Sequence, residues 1–209
     1  MLSSKLKKEY ATDAFIVAYL VVGTIFTLLL GRKFFNVPAN SLPLIYILFG
    51  AVAYVGFYSI YLVLTGSLSG KLRNFVFTFY SSVIGVFLGL SLSASSAIAV
   101  ALALSLVDMF WVYRRLGRVE DRFERFMVVS ASSAGRWGIG LGDLTCYAML
   151  VTCAFVSFGL ATCVISTLLI LLGSVSSMKG AERYTIFPGL PLSVGLGTIP
   201  ILLNLAMTI

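Results

Sequence analysis

The sequence predicts an all-α, polytopic transmembrane helix bundle of about seven spans, and three observations predict it. Of its 209 residues 59% are hydrophobic and 11% charged, where an ordinary soluble domain carries roughly a quarter charged residues; the mean hydropathy is +1.02. The apolar residues gather into stretches close to the ~20 residues that a helix needs to cross the hydrocarbon core. When those stretches are threaded through a bilayer in order, nearly all cations fall on one side. A water-soluble globular fold is excluded.

The first stretch, 11–30, follows Lys5, Lys7 and Lys8 as a signal peptide follows its basic region. It ends, however, in Gly31-Arg32-Lys33 with no small-residue cleavage pattern, so it is read as a span. The others are expected at 42–65, 74–92, 95–113, 139–156, 158–177 and 188–206. As one helix, 139–177 would be about 58 Å long, nearly twice the hydrocarbon thickness. It must fold back, and Ser157-Phe158-Gly159 is the expected turn. A second tight reversal is expected in Ser91-Leu92-Ser93-Ala94-Ser95-Ser96, where hydroxyls cap freed backbone groups. The chain is thus divided into three N-terminal spans, residues 1–94, and four spans with the chemistry, residues 95–209, with a cytoplasmic loop at 114–137.

With seven spans and a cytoplasmic N-terminus, thirteen cations face the cytoplasm: Lys5, Lys7, Lys8, Lys71, Arg73, the six arginines from Arg114 to Arg136, Lys179 and Arg183. Only Arg32 and Lys33 lie outside, as does the C-terminus. The protein is therefore expected to be integral to the cell membrane, with the lipid bilayer as its first partner. Within the central loop Val119, Phe123, Phe126 and Met127 recur at helical spacing opposite Arg118, Arg122 and Arg125, which suggests a short amphipathic helix on the cytoplasmic surface.

The formal charge of +7 fits loops facing an anionic leaflet, and no nucleic-acid partner is implied. There is no His, and Cys146, Cys153 and Cys163 are too isolated for a zinc cage, so no metal is expected; the thiols read as small core residues.

Of eight acidic residues, Glu9, Glu120, Asp121, Glu124 and Glu182 lie in polar loops, and Asp13 sits one turn inside the first span, able to snorkel toward Lys7 and Lys8. Asp108 and Asp143 remain inside the membrane, where a carboxylate costs some kcal/mol and marks function by default. Asp108 lies six residues before Arg114 and Asp143 seven after Arg136, so both are about 9–10 Å in from the same edge. Spans four and five are consecutive and antiparallel, which lets the two carboxylates meet across a helix contact. Gly140 and Gly142 are expected to let a facing backbone approach there. Two carboxyls so placed share one proton, one acting as base and the other as acid, as in aspartic proteases, and no cofactor is required. Tyr147, one turn after Asp143, either hydrogen-bonds it or packs between helices. Pro188 and Pro191 fix an extended lead-in and withhold two N–H donors, leaving backbone acceptors for an unwound substrate.

Gly140-Leu141-Gly142-Asp143 resembles the Gly-x-Gly-Asp motif of the presenilin and signal peptide peptidase family of intramembrane aspartyl proteases. Pro188-Gly189-Leu190-Pro191 resembles that family's Pro-Ala-Leu motif at the start of its last helix. The order agrees as well: a membrane Asp, a cytoplasmic loop, the Gly-x-Gly-Asp helix, one further helix, then the proline motif. The resemblance covers about residues 95–209, and it implies Asp108 and Asp143 as the catalytic pair, with Gly140, Leu141 and Gly142 beside them. It further implies that Pro188, Gly189, Leu190 and Pro191 help hold substrate, and that the partners are transmembrane segments of substrate proteins. Three departures stand out: Val107 precedes Asp108 where the family has Tyr, Gly189 replaces Ala, and seven spans are counted against the family's nine.

The competing reading is a proton-coupled transporter or channel using the same carboxylates. Such proteins often have inverted repeats with broken helices in both halves, and none is visible here. A catalytically silent relative that binds membrane helices fits the residues too. The prepilin and preflagellin peptidases place their first Asp after an early helix and lack the late proline motif, so they fit poorly. The short loop between the two Asp helices predicts an intact chain rather than self-cleaved halves, and nothing in the sequence opposes a homo-oligomer.

Overall fold

A computed structural model describes residues 14, 16–30, 47, 50–51, 54–59, 61–62, 65, 70–115, 131–134, 137–183 and 189–208. The expectations for Lys5, Lys7, Lys8, Asp13, Arg32, Lys33, the surface helix around Val119 to Met127, and Pro188 fall outside the described residues.

The architecture is helical. In chain order the helices are α1 (Ile16–Leu30), α2 (described at 54–59 and 61–62), α3 (Gly70–Ser91), α4 (Ala94–Arg115), α5 (Leu141–Phe158), α6 (Leu160–Arg183) and α7 (Leu190–Thr208). Among the described residues four segments are long and apolar enough to cross a membrane: Asn74–Ser91, Leu141–Phe158, Leu160–Gly180 and Leu190–Met207. They mark a membrane protein. Ile16–Leu30 and Ala94–Phe110 are shorter apolar helices. One feature was not expected: strands β1 (Ala131–Ala134) and β2 (Trp137–Gly140) form an antiparallel hairpin, Ala131 opposite Gly140 and Ala134 opposite Trp137, immediately before α5.

Both expected reversals are where the sequence puts them, for identifiable reasons. After Phe158, Gly159 adopts φ 85°, and its N–H closes on the Phe155 carbonyl at 3.0 Å before α6 starts at Leu160. That positive φ suits glycine, which has no Cβ to clash with the following carbonyl. Between α3 and α4, Ser93 Oγ accepts the Ser96 N–H at 3.3 Å and lies 2.9 Å from Ser96 Oγ, a serine N-cap inside a tight turn.

The chain divides into two compact units, Met1–Ile84 and Gly85–Ile209. In the first, Ile16, Leu20, Phe77, Tyr80 and Ile84 are buried, and polar groups pair between α1 and α3: Tyr19 Oη donates to Ser81 Oγ at 2.7 Å, and Thr24 Oγ1 lies 3.2 Å from Tyr80 Oη.

The second unit holds the candidate site. Its core is one cluster: Ala97, Ile98 and Ala101 of α4, Cys146, Met149, Leu150, Cys153 and Ala154 of α5, Ile170 of α6, and Leu190, Val194 and Ile201 of α7. The α5 members recur at 146, 149, 150, 153 and 154, the spacing of one helical face. Cys146 and Cys153 belong to this core and Cys163 packs against it, so the thiols do serve as small packing residues. Ser105, Ser166, Ser193 and Thr198 are buried, whereas Leu104, Leu106, Phe110, Leu168, Leu171 and Leu172 are exposed. Hydroxyls inward and large apolar side chains outward is the pattern of helices whose outer solvent is lipid.

Small residues set the helix spacing. A Cβ at Gly85 would clash with the Thr145 carbonyl, and one at Gly89 would stand 2.6 Å from that of Met149, so these glycines let the end of α3 lie on α5. A Cβ at Gly173 would meet Ser193 Cα at 2.5 Å, and one at Gly197 would clash with Ile170, so α6 and α7 approach as closely. Ser166 Oγ donates to the Gly197 carbonyl, and Asn204 Nδ2 donates to Thr162 Oγ1 at 3.2 Å across the same pair.

Candidate active site

Asp108 stands on α4 at the end of a seam of inward residues, Ala97, Ala101 and Ser105, spaced by four. Continuing the seam by three turns Asp108 inward, where it is half-buried beside exposed Val107 and Met109.

Asp143 occupies the third position of α5. Strand β2 runs straight into the helix through Gly140, whose extended backbone (φ −61°, ψ 144°) forms the N-cap. From that third position the carboxylate folds back over the N-cap, so that a Cβ at Gly140 would lie 3.2 Å from Asp143 Oδ2. Leu141 is buried, Gly142 is exposed, and Asp143 is half-buried. A first-turn carboxylate sits at the positive end of the helix dipole, which offsets part of its cost in an apolar bundle.

The segment Gly189-Leu190 brings the two acids together. The Leu190 N–H, an unpaired donor at the start of α7, is given to Asp108 Oδ2 at 3.2 Å. On the other side, a Cβ at Gly189 would lie 3.5 Å from Asp143 Oδ2, so this backbone passes directly beside the second acid. The two carboxylates interact electrostatically. Asp108, Asp143, Gly140, Gly189 and Leu190, separated by up to 82 positions in the chain, therefore form one cluster. Pro191 is the second residue of α7, where its missing N–H breaks no helical bond.

Two details differ from the sequence reading, and a third falls on one of its two alternatives. A Cβ at Gly142 would meet nothing within 4 Å, and the nearest atoms to one at Gly140 are those of the Asp143 carboxylate, at 3.2–3.4 Å. These glycines leave space around Asp143, while the close approach to α5 is made by Gly85 and Gly89. Tyr147 takes the packing alternative, its side chain lying against the buried core cluster. The Gly189 carbonyl is not free for a substrate: Ser177 Oγ donates to it at 3.3 Å and Ser193 Oγ at 3.2 Å.

Sequence reasoning passed over Ser174, Ser177 and Ser193. Serine in a membrane helix commonly bonds its own preceding turn, as Ser174 Oγ does with the Ile170 carbonyl at 2.9 Å. Nothing in the pattern of the chain separates such a serine from one that ties two helices.

No family model matches the chain, and no curated protein matches it either.

Proposed function

We propose that the protein is an intramembrane aspartyl protease, a short relative of the presenilin and signal peptide peptidase family, in which Asp108 and Asp143 hydrolyse a peptide bond within a substrate's transmembrane segment. The observation that carries this reading is the convergence of both carboxylates on Gly189-Leu190. Two acids buried separately for structural reasons have no need of a common partner.

In this reading one carboxyl of the pair is protonated and the other ionised. The carboxylate takes a proton from water as the oxygen attacks the peptide carbonyl carbon, and the protonated partner donates to the carbonyl oxygen, giving a neutral gem-diol. The diol then collapses: the C–N bond breaks, the leaving nitrogen receives the proton held by the first acid, and a diol proton returns to the second. Products are a carboxylic acid and an amine, and the dyad is restored to a single proton. The open space at Gly142 is where, in this reading, a substrate backbone reaches the acids.

The substrate must be extended there, because a helical peptide bond is shielded by its own turns. With the Gly189 carbonyl occupied by serine hydroxyls, the extended stretch is given a partner by the hairpin, whose outer edge ends three residues before Asp143. A two-stranded sheet has unpaired backbone groups along that edge and accepts an added strand.

Seven spans with a cytoplasmic N-terminus and an external C-terminus complete the reading, and they imply substrates whose own N-terminus lies outside. The test is to reconstitute the purified protein in lipid vesicles with a single-span substrate. Cleavage by the wild type, lost in Asp108→Asn and in Asp143→Asn, is expected; proton-driven uptake without proteolysis would replace this reading by the transporter.

A further inference from the structure

Two hydroxyls converge on one backbone group next to the dyad. Ser177 of α6 and Ser193 of α7 both donate to the Gly189 carbonyl, at 3.3 and 3.2 Å. Ser174 Oγ of α6 lies 3.2 Å from Ser193 Oγ. Ser193 is fully buried and Ser177 nearly so, while the backbone of α6 at Gly173 abuts Ser193 with no room for a Cβ. The cluster is thus a polar knot joining α6 to the start of α7.

What this knot holds is the orientation of one turn of backbone. Gly189 has no side chain to fix it, and Pro191 cannot donate an N–H. The Gly189 carbonyl and the Leu190 N–H belong to the same peptide plane, so fixing the carbonyl direction fixes the donor that reaches Asp108 Oδ2 at 3.2 Å on the opposite side. A rotation of that plane would withdraw the donor from Asp108.

We infer that Ser177 and Ser193, with Ser174 beside them, are positioning residues that set the Gly189–Leu190 peptide plane and through it the Asp108 carboxylate. They do not touch the reacting atoms. The functional consequence rests on the protease reading above, whereas the mechanical link, from serine hydroxyl to peptide plane to carboxylate, does not. Either serine alone retains one donor on the carbonyl. The link is lost when both are removed, so the two substitutions are non-additive.

The test compares Ser177→Ala, Ser193→Ala, the double variant, and Ser177→Thr, which keeps the hydroxyl, in lipid vesicles. Two readouts are taken: steady-state cleavage of a single-span substrate, and the infrared carboxyl band that disappears in Asp108→Asn. Each single alanine variant is expected to lower kcat less than about threefold and the double variant about tenfold to a hundredfold, with KM unchanged, because the dyad and not the substrate groove is misaligned. In the Ser193→Ala background Ser177→Thr keeps the rate of Ser193→Ala alone, whereas Ser177→Ala there gives the full loss. The Asp108 band shifts in the double variant, since a carboxylate that loses an N–H donor changes frequency. A double variant with wild-type kcat, or an equal rise in KM, overturns the inference, as does an Asp108 band that stays in place. If the wild type cleaves nothing, the protease reading falls, and the infrared band alone decides whether the serines position Asp108.

Discussion

A carboxylate in a membrane helix bundle is costly unless backbone donors meet it, and each acid of the pair has found the start of a helix. The Asp143 carboxylate folds back over the N-cap of its own helix, and Asp108 takes the first donor of α7 from across the bundle. Neither arrangement alone distinguishes a capping role from a catalytic one; their meeting at Gly189 is what supports the proposed pair. Asp108→Asn and Asp143→Asn keep size and hydrogen bonding, so the helices should persist in circular dichroism while cleavage falls by about 10²–10⁴-fold, the usual worth of a general acid or base. Leu190→Pro probes the donor itself. Proline is tolerated at a first helical position but has no N–H, so helicity should be kept and kcat should fall, read from initial rates. The two acids were legible in the sequence because they are the ones stranded deep in apolar stretches. The open space at Gly142 was not, since a glycine that leaves space beside an acid and one that admits a neighbouring helix look alike in a chain of letters. The serine knot was hidden for a similar reason: its partner is a backbone carbonyl, which every residue has.

Elements contribute by closing on α5 from several sides. Gly85 and Gly89 bring the end of α3 onto the backbone at Thr145 and Met149, and nothing larger fits. Gly89→Leu should therefore destabilise the fold by about 1–3 kcal/mol, measured by thermal or denaturant unfolding in detergent, because a packed interface resists added volume. Retained stability would mean that α3 is free to shift. The hairpin makes a different demand. Gly138→Pro removes a strand donor and should raise KM for a long membrane substrate with less effect on a small transition-state mimic, which needs only the dyad. Helices α3 to α7 and both tight turns were readable from apolar run length, a helix too long for the bilayer, and the local chemistry of Gly159 and Ser93. The hairpin was not, because Ala131-Ser132-Ser133-Ala134 and Trp137-Gly138-Ile139-Gly140 carry little strand propensity. Pairing, rather than residue type, makes them strands.

At the scale of the whole molecule the governing quantities are hydrophobic length and the distribution of cations. Among the described residues four segments meet the length for crossing outright. Ala94–Arg115 is a continuous helix of 22 residues, apolar over Ala94–Phe110 with Asp108 inside that stretch. Labelling of single-cysteine variants in sealed vesicles should find residues 114–137 and 179–183 on the cytoplasmic side and Arg32 on the outside, since Lys and Arg are retained there. Labelling of the central loop from outside would reverse the orientation of both the site and its substrates. The central claim is that two aspartates activate water inside the membrane. Its most direct test is cleavage of a single-span substrate in 18O-labelled water, followed by mass spectrometry of the N-terminal product. The expected result is one 18O atom in a new carboxyl group that lies within the spanning segment, formed by the wild type and absent with Asp108→Asn or Asp143→Asn. Cleavage that persists in either variant, or an intact substrate with the wild type, would contradict it.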